Sequence, residues 1–416
     1  MPVRAHCENP DRRTLADLIR EYRPGYSLEQ RFYKDPEIYK AEIKSIFLKH
    51  WMLAGHVSQI PEAGDFFLFE FDVESVIVVR TKEGAVKAHL NVCRHRGSRI
   101  CLEKEGRSKL LTCPYHAWSY DLNGKLMTAR QMGTDFKKAD NGLHPVHVEL
   151  VGGLIFVSLA EKPLSLAGMK EDLADVFETF GFDNMKLAAQ KSFPIAANWK
   201  LAAENYQECY HCAPSHQEYA KVHAMALSKE AFAAHREKYL AALAGKVRTQ
   251  ESPYYFDQAK AGEEGYQYAR NPLLSGMESG SLGGKGIAPL LGTIAEFDGG
   301  ASEFMVGPVS FFLIYNDHMV GYRFTPTSHE TCCCDVFWFV RGDADEGIDY
   351  DLETLTWLWD ITTQSDEEII VNNQQGVNSH FYTSGRLSEM ESFEQHFLNW
   401  YLSSMKDSIS NTSKGQ

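Results

Sequence analysis

The 416-residue chain has no apolar run that approaches the ~20 residues needed to cross a bilayer. Its longest apolar stretches, such as 152–159, have strand length. The opening Met-Pro-Val-Arg-Ala-His-Cys holds no apolar core of a secretion signal. A soluble, cytoplasmic protein with no membrane association is the resulting expectation. Basic charge is also short. Lys and Arg number 42 against 56 Asp and Glu, a formal net charge of −14, which argues against nucleic acid, whose backbone needs a basic face. No glycine motif of a nucleotide-binding loop follows a strand, so nicotinamide chemistry must sit on another protein. Gly283-Gly284-Lys285-Gly286 lacks the spacing of a phosphate loop. There is no internal repeat. The nine cysteines are odd in number, which does not suit a disulfide framework.

The pattern of apolar residues divides the chain into three. Residues 1–47 read as an arm and a helix, with Asp35-Pro36-Glu37 as the start signal and Ile43, Ile46 and Phe47 as the apolar stripe. Residues 48–162 hold short apolar runs split by turns, at 66–69, 76–79, 86–90 and 154–157, the mark of a small antiparallel β unit. Residues 163–416 begin with helical spacing from Met169 to Phe180 and a polar link to Phe193. One long helix is expected over 217–243, and a mobile glycine-rich loop over 275–300. Strands follow at 310–315, 318–324 and 331–340, then helices at about 350–373 and 387–405 and a polar tail.

Two clusters of ligand-type residues stand out. Cys93-Arg94-His95 is followed, after seventeen intervening residues, by Cys113-Pro114-Tyr115-His116. Two thiolates and two imidazoles, one of each per loop, are the set that a [2Fe–2S] centre with histidine on one iron requires. Zinc accepts the same atoms, although its knuckles usually open Cys-x-x-Cys. The second cluster is His211, four residues, then His216. Alone this pair is weak, because most such pairs are ordinary surface or core histidines. With a distant carboxylate it makes the 2-His-1-carboxylate set that leaves positions open on Fe(II). Cys332-Cys333-Cys334 cannot converge on one ion, since successive strand residues point to opposite faces.

Cys93-Arg94-His95-Arg96-Gly97 and Cys113-Pro114-Tyr115-His116-Ala117-Trp118 resemble the Rieske signature of aromatic-ring and related oxygenases. Ser98 and Tyr115 stand where the respiratory Rieske proteins carry extra cysteines. Asn198-Trp199-Lys200-Leu201 and the run Glu204 to His211 resemble the catalytic motif of the same oxygenases. The resemblance implies an α+β chain: an all-β Rieske domain and a helix-grip catalytic domain with an antiparallel sheet. It implies that Cys93, His95, Cys113 and His116 hold the cluster. His211 and His216 would hold the mononuclear iron with Asp366, within Gln364-Ser365-Asp366-Glu367-Glu368. It makes Glu208 the carboxylate that links His211 to a Rieske histidine of a neighbouring subunit, so that a ring, a homotrimer, is the working unit.

Ring hydroxylators mostly carry Asp at that bridging position. Glu, within Glu-Cys-Tyr-His-Cys, resembles the branch acting on quaternary ammonium compounds, which includes glycine betaine demethylase, stachydrine demethylase and carnitine oxygenase. Asn91 to Arg99, Gly347 to Asp351 and Asn373 to Ser379 extend the likeness. Residues 225–310 match least, and they should shape the substrate pocket. The branch implies O2- and NAD(P)H-dependent N-demethylation with release of formaldehyde, fed by a flavin and ferredoxin type reductase. Aromatics from Phe311, Phe312, Tyr315, Tyr206 or Tyr219 are expected around the cation. The alternatives are hydroxylation of an aromatic compound and a pure electron carrier. Iron content separates the carrier, at about two irons per chain, from the oxygenase at about three.

Overall fold

Strand Glu74–Arg80 shows why the N-terminal β unit reads as unbroken apolar runs. Val76 and Val78 face one core with Phe69 and Phe71, while Ile77 and Val79 face another with Cys93, Cys113, Trp118 and Tyr120. A strand buried on both faces has no polar side to show. In this computed structural model of the chain, residues 13–412 are described apart from Ala226, Ala244 and Pro308, and the side chains of 407–412 are not. The start of the expected arm, with Cys7, and the end of the expected tail lie outside the described residues.

The first antiparallel sheet has seven strands, in the order Met52–His56, Leu154–Ser158, Pro145–Val151, Val86–Leu90, Glu74–Arg80, Asp65–Phe71 and Glu105–Arg107. A small sheet of Leu111–Thr112, Ser119–Tyr120 and Leu126–Thr128 sits beside it. The second large sheet has six antiparallel strands, in the order Met185–Ile195, Thr331–Arg341, Met319–Ser328, Ser310–Ile314, Gly300–Val306 and Tyr266–Pro272. Along Thr331–Arg341 the side chains alternate between two cores. Cys332, Cys334, Val336 and Trp338 pack toward helix Leu352–Val377 through Leu355, Leu358 and Trp359, and Phe337 and Phe339 pack toward Leu53, Phe156 and Phe182. The three consecutive cysteines are thus free strand residues. Fully burying each large apolar side chain contributes ~1.5–3 kcal/mol, which makes this two-faced sheet the main store of stability.

The N-terminal helices close over the far end. Asp35 caps helix Pro36–Glu42 through the Glu37 N–H at 2.9 Å. Glu42, fully buried, accepts from Lys200 Nζ (2.7 Å), Trp199 Nε1 (2.9 Å) and the Tyr401 hydroxyl (2.6 Å). A buried charge survives only where it is paired and hydrogen-bonded in this way. Burial lowers the Lys200 pKa while Glu42 opposes the shift.

Several expectations fail. The single helix over 217–243 is two, Gln217–Val222 and Lys229–Ala242. Ala224 takes a left-handed φ of 59°, and Ser228 caps the second helix through the Ala231 N–H, so the composition favoured a helix that the turn interrupts. The helix from Met169 to Phe180 is likewise two short ones, Ala167–Asp172 and Ala174–Thr179. The glycine-rich stretch 275–300 is irregular but tied down. Asp317 accepts from Ser279 Oγ and the Ile287 N–H, and Leu291 is buried. The polar link before Phe193 is in fact edge strand Met185–Ile195, whose half-exposed face hid its period. Strands Tyr266–Pro272 and Gly300–Val306 have no counterpart among the expected elements, because Gln267, Arg270 and Ser302 are polar yet buried.

Candidate metal centres and active site

Two tight loops form the tip of the small domain. The Gly97 N–H donates to Cys93 O, and the Ala117 N–H donates to Cys113 O. Both fifth residues are left-handed, Gly97 at φ 77° and Ala117 at φ 58°. The loops are therefore one design drawn twice, with glycine at the strained position in one and alanine in the other. Cys93 and Cys113 are buried close together, while His95 and His116 are exposed with ring centroids 4.6 Å apart. Trp118 stacks on His95 at 4.8 Å and 9°, and the Tyr120 hydroxyl lies 3.4 Å from Cys93 Sγ.

The second centre is assembled from two distant segments. His211 and His216 stand at the two ends of the single helical turn Cys212–Ser215, with ring planes at 88° and centroids 5.1 Å apart. Asp366 comes from the middle of helix Leu352–Val377, which Asp351 caps through the Thr354 N–H. Two cross-links fix its register against the histidines. Ser365 Oγ donates to Ser215 O at 3.2 Å, and Gln374 Oε1 accepts from the Asn198 N–H at 2.8 Å. Asp366 Oδ1 lies 2.7 Å from His216 Nε2 and 3.3 Å from His211 Nε2. Among the described residues, these three are the one group of His, Cys, Asp or Glu with three or more ligand atoms all within 4.8 Å of one another.

Glu208 stands behind the first histidine. Its Oε1 accepts from His211 Nδ1 at 2.5 Å, and its Oε2 accepts from the backbone N–H groups of Tyr210 and His211. That bond sets the tautomer and turns Nε2 toward Asp366. Burial works against a charged His211, but Asp366 and Glu208 outweigh it and push its pKa up to about 10. Asp366 is lowered: burial opposes ionisation, and the two histidines overcome it. Such a knot of shared protons exchanges them for a divalent cation, because metal ligands must be deprotonated.

A cavity of about 320 Å³ opens on the three residues. Its walls include Tyr206, Tyr219, Phe311, Phe312, Tyr322 and Trp359. Tyr206 lies 4.4 Å from Phe311 and 5.2 Å from Tyr322, ring to ring. Tyr315, one of the expected aromatics, is absent from this lining and instead meets His223 Nε2 with its hydroxyl at 2.5 Å. Cys209 and Cys212 line the cavity.

The Rieske [2Fe-2S] domain family matches residues 50–146, and the ring hydroxylating alpha subunit (catalytic domain) family matches residues 182–407. The chain is 36% identical over 406 residues to the glycine betaine monooxygenase oxygenase subunit of Pseudomonas aeruginosa, covering 96% of this chain and 94% of that one. The chain belongs to the Rieske ring-hydroxylating oxygenases. In fold it is similar to a quaternary ammonium Rieske monooxygenase (TM-score 0.69, 21% identity, 94% of this chain and 97% of that one). It is also similar in fold to naphthalene 1,2-dioxygenase from Rhodococcus (TM-score 0.65, 20% identity, 94% and 97%).

As a Rieske oxygenase the chain is an oxidoreductase that uses a [2Fe–2S] cluster and a non-haem iron. The donors present fit both groups. Two buried cysteines beside two exposed histidines suit a cluster whose two irons differ in ligands. Two imidazoles and one carboxylate, facing a cavity, suit an iron that keeps positions open. No helix among the described residues is long and apolar enough to cross a membrane.

The pocket's other contributors are not legible in the sequence. Gln267, Asn271, Glu303 and Met305 come from the two strands whose buried polar residues hide them. Tyr322 and Trp359 lie on elements that the apolar pattern does mark, but a strand tyrosine and a helix tryptophan carry no sign of which side faces a cavity. Trp118 stands inside the Rieske signature, and only the structure shows it stacked on His95.

Proposed function

We propose that the chain is the terminal oxygenase of a multicomponent monooxygenase that removes an N-methyl group from a quaternary ammonium compound and releases formaldehyde. The observation that carries the reading is the aromatic cavity beside His211, His216 and Asp366. A quaternary ammonium has no N–H to donate, so aromatic faces and carboxylates are the groups that recognise it. The relative along nearly the whole chain is named for glycine betaine, which points the same way.

In this reading Cys93, His95, Cys113 and His116 hold the cluster, and His211, His216 and Asp366 hold the iron. The iron, reduced through the cluster, supplies the activation of O2. The protein's own part is placement. The cavity holds a methyl group toward the three ligands and limits water, and Glu208 keeps the His211 proton on Nδ1, leaving Nε2 free to bind. Hydroxylation of the methyl gives a hemiaminal, which parts into formaldehyde and the demethylated amine. Electrons come from NAD(P)H through a separate reductase.

Glu208 also suits a role as bridge between subunits. With His211 it lines a second hollow of about 480 Å³, on which Glu204, Glu391 and Glu394 also open. His95, flanked by Arg94 and Arg96, and His116 are both exposed and so open to such a hollow on a neighbouring chain. A carboxylate has about four lone-pair sites, so Glu208 keeps one for an imidazole N–H from a neighbouring chain. A ring, such as a homotrimer, follows.

The test is NADH-coupled formaldehyde release by the reconstituted holoenzyme over a panel of betaines, other quaternary ammonium compounds and aromatic acids. Formaldehyde from an ammonium, with no product from the acids, supports the reading. Oxidation of aromatic acids, with no demethylation of any ammonium, overturns it.

A further inference from the structure

The cavity wall carries one carboxylate that neither metal centre uses. Glu303 lies on strand Gly300–Val306, paired with Leu313 on one side and Ala269 on the other. Met305, two residues on, shares its face and lines the same cavity. Ser302 and Phe304, its immediate neighbours, are buried, while Glu303 has open surface. It accepts one long hydrogen bond, from Asn271 Nδ2 at 3.4 Å. Arg236, on helix Lys229–Ala242, is engaged elsewhere, with Glu251 and with Asn271 Oδ1 at 2.9 Å. Burial raises the Glu303 pKa, Asn271 and Arg236 work against that rise, and Glu251 adds to it. A carboxylate that opens on an aromatic-walled cavity with one weak partner is available to a cation that enters it.

The cavity's other two carboxylates are already taken. Glu208 and Asp366 are engaged with His211 and His216. None of the described residues lining the cavity is Lys or Arg. Aromatic faces and a weakly satisfied carboxylate receive a cation well, and no Lys or Arg on the described wall offers a charge to a substrate's own carboxylate.

We propose that Glu303 is the counter-charge for the substrate's ammonium group and makes the cavity prefer ammonium ions of net positive charge over zwitterionic betaines. The proposal rests on the demethylase reading above and sharpens it. Glu303 is a specificity residue: it acts on binding, and the chemistry at the methyl group stays with the iron ligands.

Glycine betaine and its amide test this directly, because they have nearly one shape and differ in net charge. Formaldehyde release and calorimetric binding would be measured for both, with holoenzyme and with Glu303→Gln and Glu303→Asp. The wild type should favour the amide at least ~10-fold in kcat/KM, mostly through KM, as expected for an interaction made equally in ground and transition states. Glu303→Gln should raise the amide's KM and dissociation constant by a similar factor and those for betaine by less, since betaine loses repulsion of its carboxylate along with attraction of its ammonium, while cluster absorbance and iron content are kept. Glu303→Asp should keep part of the preference. Faster demethylation of betaine than of the amide by the wild type would overturn the role of Glu303 while leaving the demethylase reading intact. An equal loss on both substrates in Glu303→Gln would do the same. No formaldehyde from any ammonium would end both readings. Should Glu303→Gln fail to fold, the wild-type ranking and Glu303→Asp still decide.

Discussion

The two proposed metal centres of this chain are built on opposite plans. At the cluster tip, each cysteine and its histidine lie within one five-residue turn, and the two turns repeat the same backbone closure. At the iron site, two histidines come from one helical turn and the carboxylate arrives from a helix 150 residues later. The tip needs correct local geometry. The iron site needs two helices held in register by bonds as remote as Ser365 to Ser215 and Asn198 to Gln374. Damage should therefore stay inside each centre, and in the reading proposed above coupling between them runs through Glu208.

The largest effects would break one centre and spare the other. Cys113→Ser should abolish the cluster's visible absorbance and all turnover. Asp366→Ala should abolish turnover with that absorbance intact, while iron falls from about three per chain to about two. Elemental analysis with the visible spectrum checks both. Loss of the cluster signal in Asp366→Ala would show that the centres are not independent.

Glu208→Ala comes next, because in that reading it severs the link and leaves both ends. It should keep both metals and lower turnover roughly 100-fold, the upper part of the range for a group that orients a metal ligand. Glu208→Asp should fall between it and the wild type, having the same oxygens with less reach. Single-turnover reoxidation of the pre-reduced cluster, with substrate and O2, measures this. A wild-type rate in Glu208→Ala would leave Glu208 as an orienting group only.

The tip can be tuned without being broken. Tyr120→Phe removes a hydroxyl beside Cys93 Sγ, and hydrogen bonds to sulfur raise a cluster's potential. A redox titration should show a lower midpoint potential with the cluster retained. An unchanged potential would mean that the 3.4 Å contact carries no hydrogen bond.

Response to pH should divide the two regions as well. Burial raises Glu204 to about 8, although Tyr33 and Lys200 work against it, and burial raises Glu394 to about 9, with Glu204 adding to the shift. Both carboxyls ionise in the unfolded chain near the ordinary value of about 4.5. Between that value and 8–9 the unfolded state thus binds fewer protons than the folded one, and stability falls as pH rises. Melting curves from about pH 5 to 9 should show the decline, and Glu394→Gln should flatten it. A slope unchanged in Glu394→Gln would place the titration elsewhere.

The smallest effect is a gain. Ala117 sits at φ 58° where Gly97 fills the matching place in the other loop. Ala117→Gly should relieve strain worth ~1–2 kcal/mol, partly offset by the added freedom of glycine in the unfolded chain, for a net gain of about 0.5 kcal/mol. Denaturant titration should show the midpoint rise with an unchanged spectrum. A loss of stability would mean that the Ala117 methyl packs usefully.

The sequence by itself determined whatever short-range geometry determines. Candidate ligands that share one turn also share a few residues of sequence, so Cys93, His95, Cys113 and His116 are legible from spacing, while His211 with His216 needed the resemblance beside it. Strands with apolar side chains on both faces, such as 74–80 and 331–341, are legible for the same reason, since their composition states their burial. The tertiary structure decided what depends on segments meeting. Resemblance picks Asp366 out of three consecutive acids, but only the register of helix Leu352–Val377 against the histidines turns that residue to them. Strands Tyr266–Pro272 and Gly300–Val306 are illegible because they bury polar residues, and a buried polar group takes its meaning from its partner: Asp298 for Arg270, Tyr268 for Ser302. A cavity is the space left between elements, and no segment of the chain encodes that space alone.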